Sequence, residues 1–269
     1  MLCRAKINLT LHVGAPMTTG AWAGYHPVES LVVFADYGDN IQFEPSDHPS
    51  LTIDGPFGRE LTPGSDNLIV KALELCDAPP QTVHLTKNLP LSSGLGGGSA
   101  NAAAVLRSFD PDGLVDASAI GADVPVCRLS QTAMMEGVGE VITALPGLGR
   151  VPAVLVNPGV ALSTARIFAR YDALSPPVSL AKTATNGSLL DRARSGANDL
   201  QTASILEAPI IGDVLEAISQ QPSCQLARMS GSGATCFGLF ETMEAAEASA
   251  KTLSATGWWS VATWLGVAA

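Results

Sequence analysis

The stretch from Asn88 to Leu106, NLPLSSGLGGGSANAAAVL, places four glycines within the five positions Gly94 to Gly98, directly before an alanine-rich run. Glycines often mark no more than a turn, and a helix of small residues can simply pack close to a sheet. At this density another chemistry comes forward. Successive glycines ahead of a helix expose backbone N–H groups, admit a ligand without Cβ clashes, and add the partial positive charge of a helix N-terminus. That combination binds anions. The Walker pattern requires Gly-Lys-Ser/Thr, and no lysine follows these glycines; the dinucleotide fingerprint G-x-G-x-x-G fails because Ser99 stands at the last position counted from Gly94. The loop is predicted to hold phosphate in another way. Ser99, at the junction of loop and helix, is a candidate for Mg²⁺ or phosphate contact and equally for a helix N-cap, and the two roles are compatible.

Other residues able to do chemistry each carry an ordinary alternative. Asp123, in GADVPVC, follows a glycine and an alanine and precedes Val124-Pro125. That context suits a partly buried carboxylate, and equally a turn or N-cap residue. Lys6 is polar on an otherwise apolar strand pattern, and a strand lysine usually faces solvent. Tyr25-His26 would normally be loop packing, and Phe168 core.

The elements that must position these groups follow from periodicity. AKINLTLHV alternates Ile7, Leu9, Leu11 and Val13 against Lys6, Asn8, Thr10 and His12, a strand with one polar face. SLVVFADYGDNIQFEP is a second β-rich stretch. SDNLIVKALELC reads as a helix with Ser65 and Asp66 as possible caps. TVHLTKNLP is a strand delivering the chain to the glycine loop, SANAAAVLRSF a helix, and PDGLVDASAIG a short helix or turn. TAMMEGVGEVITAL resembles a hairpin. After a pause at Pro146-Gly147, VPAVLVNPGVALST begins a new unit, followed by helical TARIFARY, a looser connector from about Ser175 to Ser188, helical NDLQTASIL and IIGDVLEAISQQ, and a strand pair flanking helical MEAAEASAKTLSATG. The pattern predicts two αβ units, residues 1–147 and 148–269.

Composition narrows the function. A 46% hydrophobic and 15% charged chain packs as a globule. A net charge of −10 with no basic stripe excludes nucleic acid as the expected partner. Five scattered cysteines with no Cys-x-x-Cys pair, and four dispersed histidines, suggest a reducing cytosol and neither a disulfide framework nor a zinc site. No apolar run reaches membrane-spanning length, so the expectation is a soluble, cytoplasmic protein without a membrane partner.

PLSSGLGGGSANAAAVL resembles the central motif of the GHMP kinases (galactokinase, homoserine, mevalonate and phosphomevalonate kinases), and AKINLTL near the start and MSGSGATCFGLF near the end resemble their other two signatures in the same order. GYH, NLI at Asn67, GADVP and EGVGE are similar to the branch that phosphorylates a cytidine diphosphate-linked methylerythritol in the non-mevalonate route to isoprenoids. The likeness runs from residue 5 to roughly residue 260. It implies an α+β fold of two domains, an N-terminal ATP-binding αβ domain and a C-terminal ferredoxin-like αβ domain with the active site in the cleft between them. It implies ATP and Mg²⁺, and a monomer or homodimer.

By position, the resemblance makes Asp123 the base that accepts the substrate hydroxyl proton, with Lys6 compensating charge beside it. ATP would meet Asn67, Lys87, Pro90, Ser92, Ser93, Gly94, Leu95, Gly96, Gly97, Gly98 and Ser99. Tyr25 and His26 would recognise the cytosine by stacking and by edge hydrogen bonds, with Phe168 as an opposite wall; Asn8, Val138 and Thr164 complete the substrate contacts. The chain departs from the family at Ala23, where an aspartate is common, at Ala100, where a second serine is frequent, and in a short segment between Arg107 and Gly121. No acidic residue pairs clearly with Ser99 for Mg²⁺. Another GHMP kinase, acting on homoserine or mevalonate, or a catalytically silent nucleotide-binding relative, are the alternatives.

Overall fold

The computed structural model describes residues 1–174 and 180–266. In chain order the first elements are β1 (Leu2–Asn8), β2 (His12–Val13), β3 (Val28–Pro45), β4 (Ser50–Asp54), α1 (Leu68–Leu75), β5 (Gln81–Thr86), α2 (Gly97–Phe109) and α3 (Val124–Leu129). There follow β6 (Ala133–Gly137), β7 (Val141–Ala144), β8 (Arg150–Asn157), α4 (Thr164–Ala173), α5 (Leu189–Ser195), α6 (Gln201–Glu207), α7 (Ile210–Ser219), β9 (Cys224–Met229), β10 (Cys236–Phe240), α8 (Met243–Ser254) and β11 (Trp259–Gly266). These form two compact units that interleave along the chain. The first comprises Met1–Lys6, Tyr37–Leu91 and Gly96–Ser130; the second comprises Ile7–Asp36, Ser92–Leu95 and the described chain from Gln131 onward.

In the first unit, the last residues of β3 pair antiparallel with β5, from Asn40 opposite Thr86 to Pro45 opposite Gln81, and β4 lies parallel on the far side of β5. Helix α2 packs against α1 and α3. Its run Ala100 to Leu106 is wholly buried, so this helix is enclosed nearly all round, and alanines let its neighbours approach closely. Helix α1 is capped by Asn67, whose Oδ1 accepts the Ile69 N–H at 3.0 Å, and not by Ser65 or Asp66. The short segment after α2 is braced by Asp110, which accepts the N–H groups of Leu114 (2.9 Å) and Val115 (3.2 Å) and a 2.9 Å bond from Arg128. Burial opposes the Asp110 charge, but those N–H groups and the guanidinium together hold its carboxyl below the usual carboxylate range.

The second unit centres on β8, paired antiparallel with β11 on one side and with β10 on the other; β9 follows beyond β10. Helix α8 packs on β8 and β11, and α7 on β9 and β10. Val151 to Asn157 are all buried, as a strand covered on both faces requires. The first residues of β3 pair with β6, which forms the expected hairpin with β7.

Two expectations change. The strand read through residues 5–13 stops at Asn8 and resumes as β2, and its polar face does not meet solvent: Lys6, Asn8, Thr10 and His12 are all buried. Each of Lys6, Asn8 and Thr10 has a polar partner distant in sequence, which a pattern rule equating polar with exposed cannot register. Helix α5 and strand β4 also appear where no element was expected. Of the connector expected from Ser175 to Ser188, positions 175–179 lie outside the described residues, and 180–188 carry neither helix nor strand.

Candidate active site

In the first unit Lys6 and Asp123, 117 positions apart, form an ion pair with Nζ 2.8 Å from Oδ1. Asp123 occupies the N-cap position of α3, yet its side chain makes no capping bond. Its carboxylate is turned instead to Lys6, which excludes the capping role the sequence left open. The Lys6 side chain is 6% exposed and that of Asp123 34%, so the carboxylate keeps access that the ammonium lacks. Gly96 abuts the pair: a Cβ there would stand 3.3 Å from Lys6 Cβ and 3.7 Å from Asp123 Oδ2. Behind it, burial first and the Asp123 carboxylate second push the Cys127 thiol well above the ordinary range, so it stays a thiol at neutral pH. The arrangement offers a carboxylate able to take a proton and a fixed cation beside it.

Gly96, in the left-handed conformation at φ 62°, is the N-cap of α2, and the first helical bond runs from the Ala100 N–H to the Gly96 carbonyl at 2.8 Å. The N–H groups of Gly97, Gly98 and Ser99 precede that bond and stand at the positive end of the helix dipole. Ser99 is thus the third residue of the helix and not its cap, and its Oγ lies toward the Gly121 turn that leads to Asp123. Lys87 lies beneath Gly97, with Nζ 2.8 Å from where a Cβ would be, and is bonded to the fully buried Asp39. Asp39 also accepts the N–H groups of Asn88 (2.8 Å) and Leu89 (2.9 Å). Asn67 spends its side chain on the α1 cap and on the Thr62 carbonyl, and Pro90 is buried.

In the second unit the loop 92–95 is held at two points. The Ser93 carbonyl accepts the Thr235 N–H at 3.1 Å, and the Gly94 carbonyl accepts the Ser230 hydroxyl at 3.0 Å. Ser230 Oγ in turn accepts the Asn8 N–H at 3.1 Å. Thr164 and Ser232 share a hydroxyl contact of 2.9 Å. His26 places Nδ1 2.8 Å from the Gly14 carbonyl; a carbonyl only accepts, so Nδ1 carries the proton there. Its Nε2 is 3.4 Å from Asp172 Oδ2, and its ring centre is 5.1 Å from that of Phe168. Phe168, expected as the wall opposite Tyr25 and His26, is instead in ring contact with His26. Tyr25 is exposed and meets Trp22 edge-on at 5.6 Å. The Val138 N–H donates to Glu140 Oε2 at 2.6 Å.

Sequence reasoning missed Asp39, Asp172, Ser230 and Trp22. Asp172 had a usable signal, since it lies four residues after Phe168 on one helix face. Asp39 had none.

The family pattern described as GHMP kinases N terminal domain matches residues 67–110, and that described as GHMP kinases C terminal matches residues 181–257. A 4-diphosphocytidyl-2-C-methyl-D-erythritol kinase of Dinoroseobacter shibae is 44% identical over 271 residues, covering 96% of this chain and 92% of the relative. The chain belongs to the 4-diphosphocytidyl-2-C-methyl-D-erythritol kinase family of GHMP kinases. A relative of the same name from Paracoccus denitrificans is 44% identical over 98% of this chain and 96% of its own. A crystal structure of 4-(cytidine 5'-diphospho)-2C-methyl-D-erythritol kinase superposes with a TM-score of 0.81 at 31% identity, covering 99% of both chains. A homoserine kinase from Cytophaga hutchinsonii, at TM-score 0.54 and 16% identity over 99% of this chain and 96% of its own, shares the fold. Family membership makes the chain an ATP-dependent small-molecule kinase with the two-part GHMP fold in the α+β class expected from its motifs. No helix among the described residues is long and apolar enough to cross a membrane.

Among the described residues no three His, Cys, Asp or Glu side chains gather as a metal cage. Ser99 supplies a hydroxyl oxygen in the first turn of α2, and the Asp123 carboxylate is committed to Lys6. One such donor suits Mg²⁺ carried in on nucleotide phosphates, because that ion keeps most of its ligands as water and phosphate oxygen.

Proposed function

We propose that this chain transfers the γ-phosphoryl group of ATP to the 2-hydroxyl of 4-diphosphocytidyl-2-C-methyl-D-erythritol, in the non-mevalonate route to isoprenoids, with Asp123 as general base. The observation that carries the reading is the 2.8 Å Lys6–Asp123 pair, with a carboxylate freed from capping and facing Gly96. The N–H groups of Gly97, Gly98 and Ser99 hold phosphate oxygens. The substrate hydroxyl gives its proton to the Asp123 carboxylate as its oxygen bonds to the γ-phosphorus. The bond from that phosphorus to the β,γ-bridging oxygen breaks, and ADP leaves. Lys6 balances the charge that grows on the attacking oxygen. Mg²⁺, when bound, would neutralise phosphate charge, and Ser99 is the residue that would meet it.

Tyr25 supplies a stacking face for cytosine, His26 backed by Phe168 reads its edge, and Asn8, Thr164 and Val138 contact the remainder. Residues 1–147 form the ATP-binding part and also supply Asn8, Tyr25, His26 and Val138 to the substrate, and 148–269 form the C-terminal part with Thr164 and Phe168. A coupled ADP-release assay tests the reading: turnover is expected with the cytidine diphosphate-linked alcohol. Turnover with homoserine or mevalonate alone would overturn it.

A further inference from the structure

The buried polar face of β1 contains an acceptor whose direction is set by donor counting alone. Asn8 is 1% exposed, and its Nδ2 donates to Ser30 Oγ at 2.7 Å. Ser30 Oγ lies 2.5 Å from the Thr10 carbonyl oxygen. A carbonyl only accepts, so the Ser30 hydroxyl proton is committed to Thr10, and Ser30 can only accept from Asn8. The carboxamide must therefore present nitrogen to Ser30 and turn its oxygen away. Thr10 is itself held: its Oγ1 accepts the Leu31 N–H at 2.9 Å and lies 2.8 Å from the Thr183 hydroxyl. Thr183 donates onward to the buried Glu29 at 3.0 Å. The Asn8 backbone is pinned as well, by its N–H bond to Ser230 Oγ.

What this network leaves over is Asn8 Oδ1, buried and without a hydrogen-bond partner among the described residues. Buried carboxamide oxygens are nearly always paired, and an unpaired one carries its full desolvation penalty. It stands 3.5 Å from where a Cβ on Gly231 would be, beside the Gly94 backbone that the phosphate loop contributes to this unit. An isolated acceptor next to a phosphate loop calls for an O–H or N–H from the ligand.

We propose that Ser30 is a positioning residue, fixing the Asn8 carboxamide so that Oδ1 accepts a hydrogen bond from a hydroxyl of the alcohol substrate. Position 8 then selects for a donor, and an analogue with an ether or ketone at that carbon is rejected. The inference rests on the phosphoryl-transfer reading above and adds the residue that sets the polarity of the acceptor site.

The test is steady-state kinetics of Ser30→Ala with both substrates varied. A fall of about tenfold or more in kcat/KM for the cytidine-linked alcohol is expected, with KM for ATP within about twofold of wild type. In an Asn8→Ala background, Ser30→Ala should add no further loss in kcat/KM for the alcohol, because Ser30 reaches the substrate only through Asn8. Should Ser30→Ala fail to fold, Ser30→Cys, a weak donor of nearly the same shape, takes its place and should show the same one-sided loss. Unchanged kinetics for the alcohol, equal damage to both substrates, or full additivity with Asn8→Ala would each overturn the proposal. A wild-type protein inactive on the cytidine-linked alcohol would instead overturn the substrate reading, and the Ser30 assignment with it.

Discussion

Replacing Gly94 by alanine should disable ATP use and destabilise the protein together. Gly94 has φ 75°, where an L-residue costs about 1–2 kcal/mol. A Cβ there would also collide with the Ser230 carbonyl oxygen and come within 2.9 Å of the Gly233 carbonyl oxygen. Both obstacles are backbone, so they cannot swing aside, and overpacking of this kind costs about 1–3 kcal/mol. The two effects sum to about 2–5 kcal/mol, which for a chain of this size corresponds to a fall in Tm of roughly 5–15 °C. Displacing the 230–235 turn also breaks the Ser230 bond to Gly94, so KM for ATP should rise severalfold or more. Gly257→Ala is the control, because its φ is 92° but nothing lies within 4 Å of its Cβ. That variant should show only the conformational cost and unaltered kinetics. Gly94→Ala melting no lower than Gly257→Ala, with wild-type KM for ATP, would refute the clamped-loop argument.

Three further outcomes follow. Asp39→Asn leaves the Lys87 ammonium buried without its counter-charge, and denaturant titration should show a loss of about 3–5 kcal/mol. Trp22→Ala removes the edge contact that steadies Tyr25; KM for the cytidine-linked alcohol should rise a few-fold with kcat and KM for ATP unchanged. The carboxyl of Asp110 is depressed in the folded state, so its contribution is present above the ordinary carboxylate range and lost as pH falls through the folded value. Asp110→Asn should therefore be less stable than wild type at pH 7, and the gap should close as the medium is acidified toward pH 2.

The glycine loop and the helix it opens were legible because their signal is local: glycine density, then an alanine run that only a closely packed helix explains. Helix α4, the β6–β7 hairpin, β8, β10, α8 and β11 were legible for the same reason, each carrying its signal within its own residues, whereas β4, α5 and β9 were not read. The Lys6–Asp123 pair was not, since nothing within either motif specifies a partner 117 positions away, and only the family resemblance joined them. Ser99 and Asn67 show a finer limit. Both junctions were recognised, but the cap fell on Gly96 in one case and on Asn67, one residue past the expected Asp66, in the other. The burial of the polar face of β1 was not legible, because the partners of Lys6 and Asn8 Nδ2, Asp123 and Ser30, come from distant segments.

The most direct measurement of the central claim is the turnover of Asp123→Asn on the cytidine-linked alcohol, set beside its affinity for ATP. Loss of the base with the helix end intact predicts a fall in kcat of about 10²–10⁴-fold and ATP binding within a few-fold of wild type. Near-normal turnover in that variant would contradict the assignment of Asp123 as the proton acceptor.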